Sequence, residues 1–230
     1  MGTSRETRGV VFDLDGVLVL SEHLWDEAWQ RYAARHQRVW TAEDTRRCQG
    51  MSVAEWSTYL AERSSGDADD ATRAVISEVV ASYRAGRVAL APGARALVEA
   101  TASRVPIALA SSSPREIIDT VMGSLGLGDH FSATVSSAEV ARGKPSPDVY
   151  LEAVRRLGVE AAGSIAVEDS SNGIRAAAAA GLLVIALPSP EYPIALDAVT
   201  LAQSVQASLA GVESEIGRLL GPSGNGGPHA

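Results

Sequence analysis

Residues 10–18 read VVFDLDGVL, an apolar run that ends in two aspartates and a glycine. The unbroken run predicts a buried strand over residues 9–12, as in parallel sheets that are covered on both faces. Asp13 and Asp15 follow at once, although an ionised carboxylate is costly to bury unless a cation or several donors meet it. While the chain stays extended their side chains point the same way, and Gly16 then permits a sharp turn. The stretch therefore predicts a site at the end of a strand.

The composition excludes several classes of protein. A net charge of −8 and a pI near 5.0 argue against a nucleic-acid binder. The single cysteine, Cys48, excludes an intrachain disulfide and a cysteine-based zinc site. Because the aspartates interrupt the first apolar run, the sequence predicts neither a signal peptide nor a membrane span. We expect a cytoplasmic protein that acts on a small molecule, and no protein partner is inferred.

Residues 20–88 carry helical patterns only. A helix is predicted from Ser21, a second from the capping box Ser52–Glu55, and a third over residues 68–85. This block is predicted to be an all-helical domain inserted into a core made of residues 1–19 and 89–220.

The core alternates strands with helices. Further strands are predicted over 105–110, 133–136, 164–167 and 182–187, with helices at 94–103, 114–125, 172–180 and 205–220 and a helix beginning at Ser146-Pro147. This alternation predicts an α/β fold with a doubly wound, mostly parallel sheet. The Gly/Pro-rich segment 221–230 is predicted to be a disordered tail.

Polar residues follow four of the predicted strands. Ser111 and Ser112 follow the second, Lys144 lies in the loop after the third, and Glu168 and Asp169 follow the fourth. Ligands of such sheets bind beyond the carboxyl ends of the strands. Lys144 is the only lysine among 20 basic residues, and a lysine is a compact point charge that arginine does not replace. We therefore expect acids, hydroxyls and one amine at a single edge.

Each of these residues also has a simpler interpretation. Ser113-Pro114 has the form of a helix start, which favours Ser113 as a helix cap. For Asn172 two roles are open, contact with the site and capping of the next helix, and the capping role is favoured. Lys144 can be a solvated loop residue, and Glu168-Asp169 can charge a helix N-terminus.

Four motifs in order carry a resemblance to a known family: DLDGV at 13–17, Ser111 after an apolar strand, GKPSPD at 143–148 and EDSSNG at 168–173. The sequence resembles the haloacid dehalogenase superfamily, in its phosphatase and phosphomutase branch. The resemblance implies a Rossmann-like core with a helical cap, here residues 20–88.

The resemblance also implies residue roles. Asp13 is the implied nucleophile, which forms an aspartyl-phosphate, and Asp15 the implied general acid and base. Ser111, the backbone amide of Ser112 and Lys144 are implied to hold the phosphoryl oxygens.

The implied cofactor is Mg²⁺. Its implied ligands are Asp13, the backbone carbonyl of Asp15, and Asp169, all hard oxygen donors. Glu168 is implied to contact these ligands without binding the metal itself.

The expected activity is hydrolysis of small phosphorylated metabolites, such as sugar or polyol phosphates. A phosphomutase and a non-catalytic phospho-ligand-binding protein are the alternatives. Phosphomutases of the family carry a cap histidine and arginine where this chain has Trp25 and Val53, which favours a phosphatase. Residues 49–52 resemble the substrate-facing loop of the cap. The insertion's four tryptophans, Trp25, Trp29, Trp40 and Trp56, are interpreted as core-packing residues rather than as a sugar-stacking site.

Overall fold

A parallel sheet forms the centre of the protein. The computed structural model describes residues 8–48, 50–189 and 193–222. Its strands are β1 Val10–Phe12, β2 Ile107–Ser111, β3 Ala133–Ser136, β4 Ile165–Glu168, β5 Leu183–Ala186 and β6 Ser204–Val205. Their order across the sheet is β3-β2-β1-β4-β5-β6, and all neighbours pair in parallel. The first strand is thus central, which places Asp13 in the middle of the carboxyl edge.

Helices cover both faces of this sheet. They are α1 Glu22–Arg35, α2 Ala42–Cys48, α3 Val53–Ser64, α4 Ala68–Arg84, α5 Ala94–Ala102, α6 Arg115–Leu125, α7 Asp148–Leu157, α8 Ser171–Ala179, α9 Leu196–Val199 and α10 Leu209–Leu220. Successive side chains of a strand point to opposite faces. Accordingly Val10 and Phe12 pack in one cluster with α5, α6 and α10, and Val11 packs in another with α7, α8 and α9. The predicted doubly wound α/β fold is confirmed.

The insertion between β1 and β2 consists of α1–α4. The capping box at Ser52 forms as predicted, because the Ser52 amide donates to Glu55 Oε2 at 2.8 Å. Val19 and Leu90 pair through an antiparallel bridge where the chain leaves and re-enters the core. The division of the chain at residues 19 and 89 stays a prediction.

Several elements differ from the sequence prediction. Helix α2 was not predicted, because its sequence AEDTRRC has no apolar stripe. Helix α9 and strand β6 are four and two residues long, too short for a periodic pattern. The last helix begins at Leu209 rather than near 205, since Ser208 caps it by accepting from the Gly211 amide. Residues 223–230 of the predicted tail lie outside the described residues.

In the described part of the chain, none of the helices is both long and apolar enough to cross a membrane.

Candidate active site

A cavity of about 330 Å³ lies at the carboxyl ends of the strands, between the sheet and the helical insertion. Residues from both parts line it. The core contributes Asp13, Asp15, Ser112, Ser113, Lys144 and Asp169, and the insertion contributes Trp25, Trp29, Arg46, Arg47, Met51 and Trp56, among others. The predicted convergence of strand-exit residues on one edge therefore occurs.

Lys144 joins two carboxylates at the floor of this cavity. Its Nζ donates to Asp13 Oδ1 and to Glu168 Oε1, each at 2.5 Å, and to the Ala110 carbonyl at 3.0 Å. Lys144 is 2% exposed. Burial alone would lower its pKa, but the charges of Asp13 and Glu168 raise it above the ordinary value. Lys144 is thus a buried ammonium, and the interpretation as a solvated loop lysine is wrong.

Glu168 is held by several donors besides Lys144. Tyr150 Oη donates to its Oε1 at 2.8 Å. Its Oε2 accepts from the backbone amides of Asp169 and Ser170 and from Ser170 Oγ, each at 3.1 Å. Glu168 is fully buried, so it is more than a charge at a helix N-terminus. It fixes the position of Lys144.

The carboxylates of Asp13, Glu168 and Asp169 form a buried acidic cluster in which one oxygen of each lies within 4.8 Å of the others. Burial raises the pKa of Asp13 to about 8, against the opposing charge of Lys144. Burial, followed by the charge of Glu168, raises the pKa of Asp169 well above its ordinary value. Three carboxylates face one ammonium, so the ionised cluster has excess negative charge. The donor set and its charge fit a hard divalent cation.

Asp15 accepts hydrogen bonds on both carboxylate oxygens. Oδ1 accepts from Trp25 Nε1 and Tyr83 Oη, each at 3.3 Å, and from Ser21 Oγ. Oδ2 accepts from Ser113 Oγ at 2.7 Å. The interpretation of Ser113 as a helix cap is therefore wrong. Helix α6 begins after Pro114 without a side-chain cap, and the Ser113 hydroxyl donates its hydrogen bond to Asp15.

Gly16 brings the turn after β1 against the acidic cluster. Its φ is +81°, and a Cβ at this position would overlap the Asp169 carboxylate. Glycine thus lets the chain turn and lets Asp169 approach at the same point.

Ser111, the last residue of β2, and Ser112, which follows it, occupy different positions. Ser111 is fully buried, and its Oγ accepts from the Ser113 amide at 3.0 Å. Ser112 lines the cavity, and its buried Oγ has no hydrogen-bond partner within the described ranges. Of the two serines, Ser112 is therefore the one that borders the cavity.

The comparison with protein families supports this arrangement. The model for the haloacid dehalogenase-like hydrolases matches residues 7–181, which contain β1 through α8 and every site residue named above. The chain belongs to the haloacid dehalogenase-like hydrolase family.

Relatives of this hydrolase include named phosphatases. It is 32% identical over 198 residues to hexitol phosphatase B of Escherichia coli strain K12, covering 83% of this chain and 88% of the relative. It is 31% identical over 214 residues to the bifunctional riboflavin kinase/FMN phosphatase of Arabidopsis thaliana; that match covers 90% of this chain and spans about half (54%) of the relative. These relatives support the phosphatase branch that the motifs indicated.

A solved structure shows the same architecture. CbbY of Rhodobacter sphaeroides, solved in complex with phosphate, superposes on this hydrolase with a TM-score of 0.77 and 28% identity, covering 89% of this chain and 95% of CbbY.

One further sequence interpretation is wrong, and another agrees with the structure. Asn172 does not cap α8, because Ser170 Oγ accepts from the Gly173 amide while Asn172 Oδ1 accepts from Arg175. In the loop at 49–52, Gly50 and Met51 line the cavity, whereas Gln49 lies outside the described residues.

The four tryptophans pack together, yet three of them also line the cavity of the hydrolase. Trp25, Trp29 and Trp56 have ring centroids 6.1–6.2 Å apart and are cavity residues. Trp40 contacts Trp29 at 6.0 Å and is not among the cavity residues. Core packing therefore accounts fully for Trp40 only, because the other three tryptophans also line the cavity.

Sequence reasoning missed the tyrosines of the site. Tyr83 lies 68 positions from Asp15 and Tyr150 lies 18 from Glu168, each on the apolar stripe of its helix. The only signal in the sequence was a hydroxyl on an otherwise apolar stripe, which by itself does not reveal its partner.

Proposed function

We propose that this hydrolase is a Mg²⁺-dependent phosphatase of small phosphorylated metabolites, of the sugar or polyol phosphate type, which works through an aspartyl-phosphate intermediate. One observation carries the proposal: Asp13 lies on the cavity floor between Lys144 and the carboxylate of Asp169, and Asp15 lines the same cavity two residues further on. The names of the relatives, a hexitol phosphatase among them, support this class of substrate.

Asp13 and Asp15 have different roles in the proposed reaction. A carboxylate oxygen of Asp13 attacks phosphorus, and the bond from phosphorus to the leaving oxygen breaks. Asp15 gives its proton to that leaving oxygen. In the second step water attacks the aspartyl-phosphate, Asp15 accepts a proton from the water, and Asp13 is released with inorganic phosphate.

Phosphate binding is assigned to the donors around Asp13. Lys144, whose three N–H groups donate to Asp13, Glu168 and the Ala110 carbonyl, supplies positive charge beside the attacking oxygen. Ser112 donates to the phosphoryl oxygens as they gain charge. Ser111 supports these donors by fixing the Ser113 amide. The phosphate complex of the CbbY relative supports an anion site in this fold.

The proposed metal ligands are Asp13, the backbone carbonyl of Asp15, and Asp169. Bound Mg²⁺ would offset the repulsion between the Asp13 carboxylate and an anionic ester. Glu168, whose oxygens already accept from five protein donors, holds Lys144 instead.

The helical insertion is proposed to act as the cap. It contributes one wall of the cavity, and its opening and closing would admit the ester and exclude water.

Phosphate release from a panel of sugar, polyol and nucleotide monoesters tests the proposal. Hydrolysis that requires Mg²⁺, stops with EDTA and returns with added Mg²⁺ is the expected result. An isomerised phosphosugar would indicate a phosphomutase instead, and binding without turnover would indicate a phospho-ligand-binding protein.

Tyr83→Phe is expected to lower kcat about three- to tenfold with little change in KM. The Tyr83 hydroxyl donates to Asp15 from the insertion, and a lost hydrogen bond of about 0.5–1.5 kcal/mol converts to roughly this change in rate. Steady-state kinetics on the best ester of the panel measures it.

Tyr32→Phe is the matched control. Tyr32 is equally buried in the insertion, and its hydroxyl donates to the Asp67 carbonyl at 3.1 Å. Tyr32→Phe should lose about as much thermal stability as Tyr83→Phe and should keep the wild-type kcat. Equal kcat values for the two variants would contradict a positioning role of Tyr83.

A further inference from the structure

We propose that the insertion side of the cavity selects a ring-form leaving group, a cyclic sugar with a flat C–H face, over an open-chain polyol. The inference rests on the phosphatase activity proposed above and specifies its substrate.

The wall that the insertion contributes to the cavity contains three tryptophans beside Arg46, Arg47 and Met51. Trp25, Trp29 and Trp56 line the cavity as one group with ring centroids 6.1–6.2 Å apart. Trp25 is half-buried and donates to Asp15, so it links this wall to the proposed general acid. The face of an indole is flat and carries negative charge density. It therefore attracts the weakly positive C–H groups on one face of a cyclic sugar, and both surfaces leave water.

A buried donor lies in the same wall. The indole Nε1 of Trp29 has no hydrogen-bond partner in the parts of the chain that the structure describes, and Trp29 is 4% exposed. An indole N–H can only donate, and a buried donor without an acceptor is unfavourable. An acceptor on the bound leaving group, such as a ring oxygen or hydroxyl, would satisfy it.

The size of the cavity limits the leaving group, and conformational freedom then favours a ring. About 330 Å³ is at the lower end of the range of small-molecule pockets, which suits a single monosaccharide. A ring enters with its torsions already fixed, whereas an open chain of the same carbons must lose that freedom on binding.

The test compares sorbitol 6-phosphate with its ring-closed counterpart, 1,5-anhydrosorbitol 6-phosphate. Both esters present the same primary phosphate. We expect kcat/KM to be at least about tenfold higher for the ring, equivalent to about 1.4 kcal/mol.

Three variants locate the preference. Trp25→Leu should reduce the ratio of kcat/KM for the ring ester to kcat/KM for the open-chain ester to about threefold or less. This expectation holds whether or not the overall rate changes. Trp29→Phe keeps an aromatic ring without the N–H, and should raise KM for the ring ester about three- to tenfold. Trp40→Phe is the control from the same aromatic cluster outside the cavity, and should leave the ratio unchanged.

The outcomes separate this inference from the proposed function. Acetyl phosphate, whose acetate leaving group has no sugar ring or polyol chain, reports the phosphatase chemistry without the ring preference. If it is hydrolysed while the open-chain ester equals or exceeds the ring ester, the ring preference is overturned and the phosphatase stands. If none of the three substrates is hydrolysed, the proposed function fails. Calorimetry of both hexitol esters on Asp13→Asn then decides: tighter binding of the ring supports the preference, and equal or absent binding overturns it.

Discussion

An Asp13→Asn variant is expected to fold normally and to lose turnover by a factor on the order of 10⁴ or more, the scale seen when an enzyme loses its nucleophile. The amide nearly matches the carboxylate in shape but cannot form an aspartyl-phosphate. Stability should not suffer, because the substitution removes one negative charge from a buried cluster that holds three carboxylates and one ammonium. Steady-state phosphate release and thermal unfolding measure the two effects.

A covalent intermediate gives a second, independent readout. Phosphate label from a substrate ester should appear on the wild-type protein after a rapid acid quench and be absent from Asp13→Asn. Asp129→Asn is the matched control, because Asp129 is an exposed acid remote from the cavity; it should keep full activity and labelling. Turnover by Asp13→Asn at the wild-type rate would refute the assignment of Asp13 as nucleophile.

The sheet was predictable because its signals are local. Five apolar runs flanked by helical patterns correspond to β1 through β5, and polar residues follow the first four of them. The parallel topology then requires that the ends of these strands share one edge. The elements that the sequence did not predict are those without such a local signal. Helix α2 and strand β6 are short and lack an apolar period, so only tertiary packing defines them.

The site was predictable in its members but not in its connections. Asp13, Asp15, Lys144 and Asp169 do line one cavity. The sequence could not show that Ser113 donates to Asp15 rather than to a helix end, because both functions suit a serine before a proline. Nor could it show that Trp29, a cavity residue, has an N–H without an acceptor among residues 8–48, 50–189 and 193–222. Both facts depend on distances between residues far apart in the chain.

The largest predicted effect of a substitution that conserves charge is at Lys144. Lys144→Arg should lower kcat/KM about a hundredfold or more. Nζ lies 2.5 Å from Asp13 Oδ1 and 2.5 Å from Glu168 Oε1, in a site where the lysine is 2% exposed. A planar guanidinium spreads its charge over three nitrogens and needs more room. It would have to displace Asp13 or Glu168, and overpacking of this kind costs roughly 1–3 kcal/mol.

Comparison with two other variants separates position from charge. Arg142→Lys, the reverse exchange at a side chain 74% exposed in the same loop, should leave kcat/KM and the melting temperature unchanged. Lys144→Met removes the ammonium and leaves buried carboxylates uncompensated, so it should lose both activity and stability. If kcat/KM of Lys144→Arg stays within threefold of the wild-type value, any buried positive charge suffices at position 144. If this variant melts near the wild-type temperature and still loses activity, the requirement is for a single donor atom midway between Asp13 and Glu168. Among side chains with a permanent positive charge, only lysine can place one there.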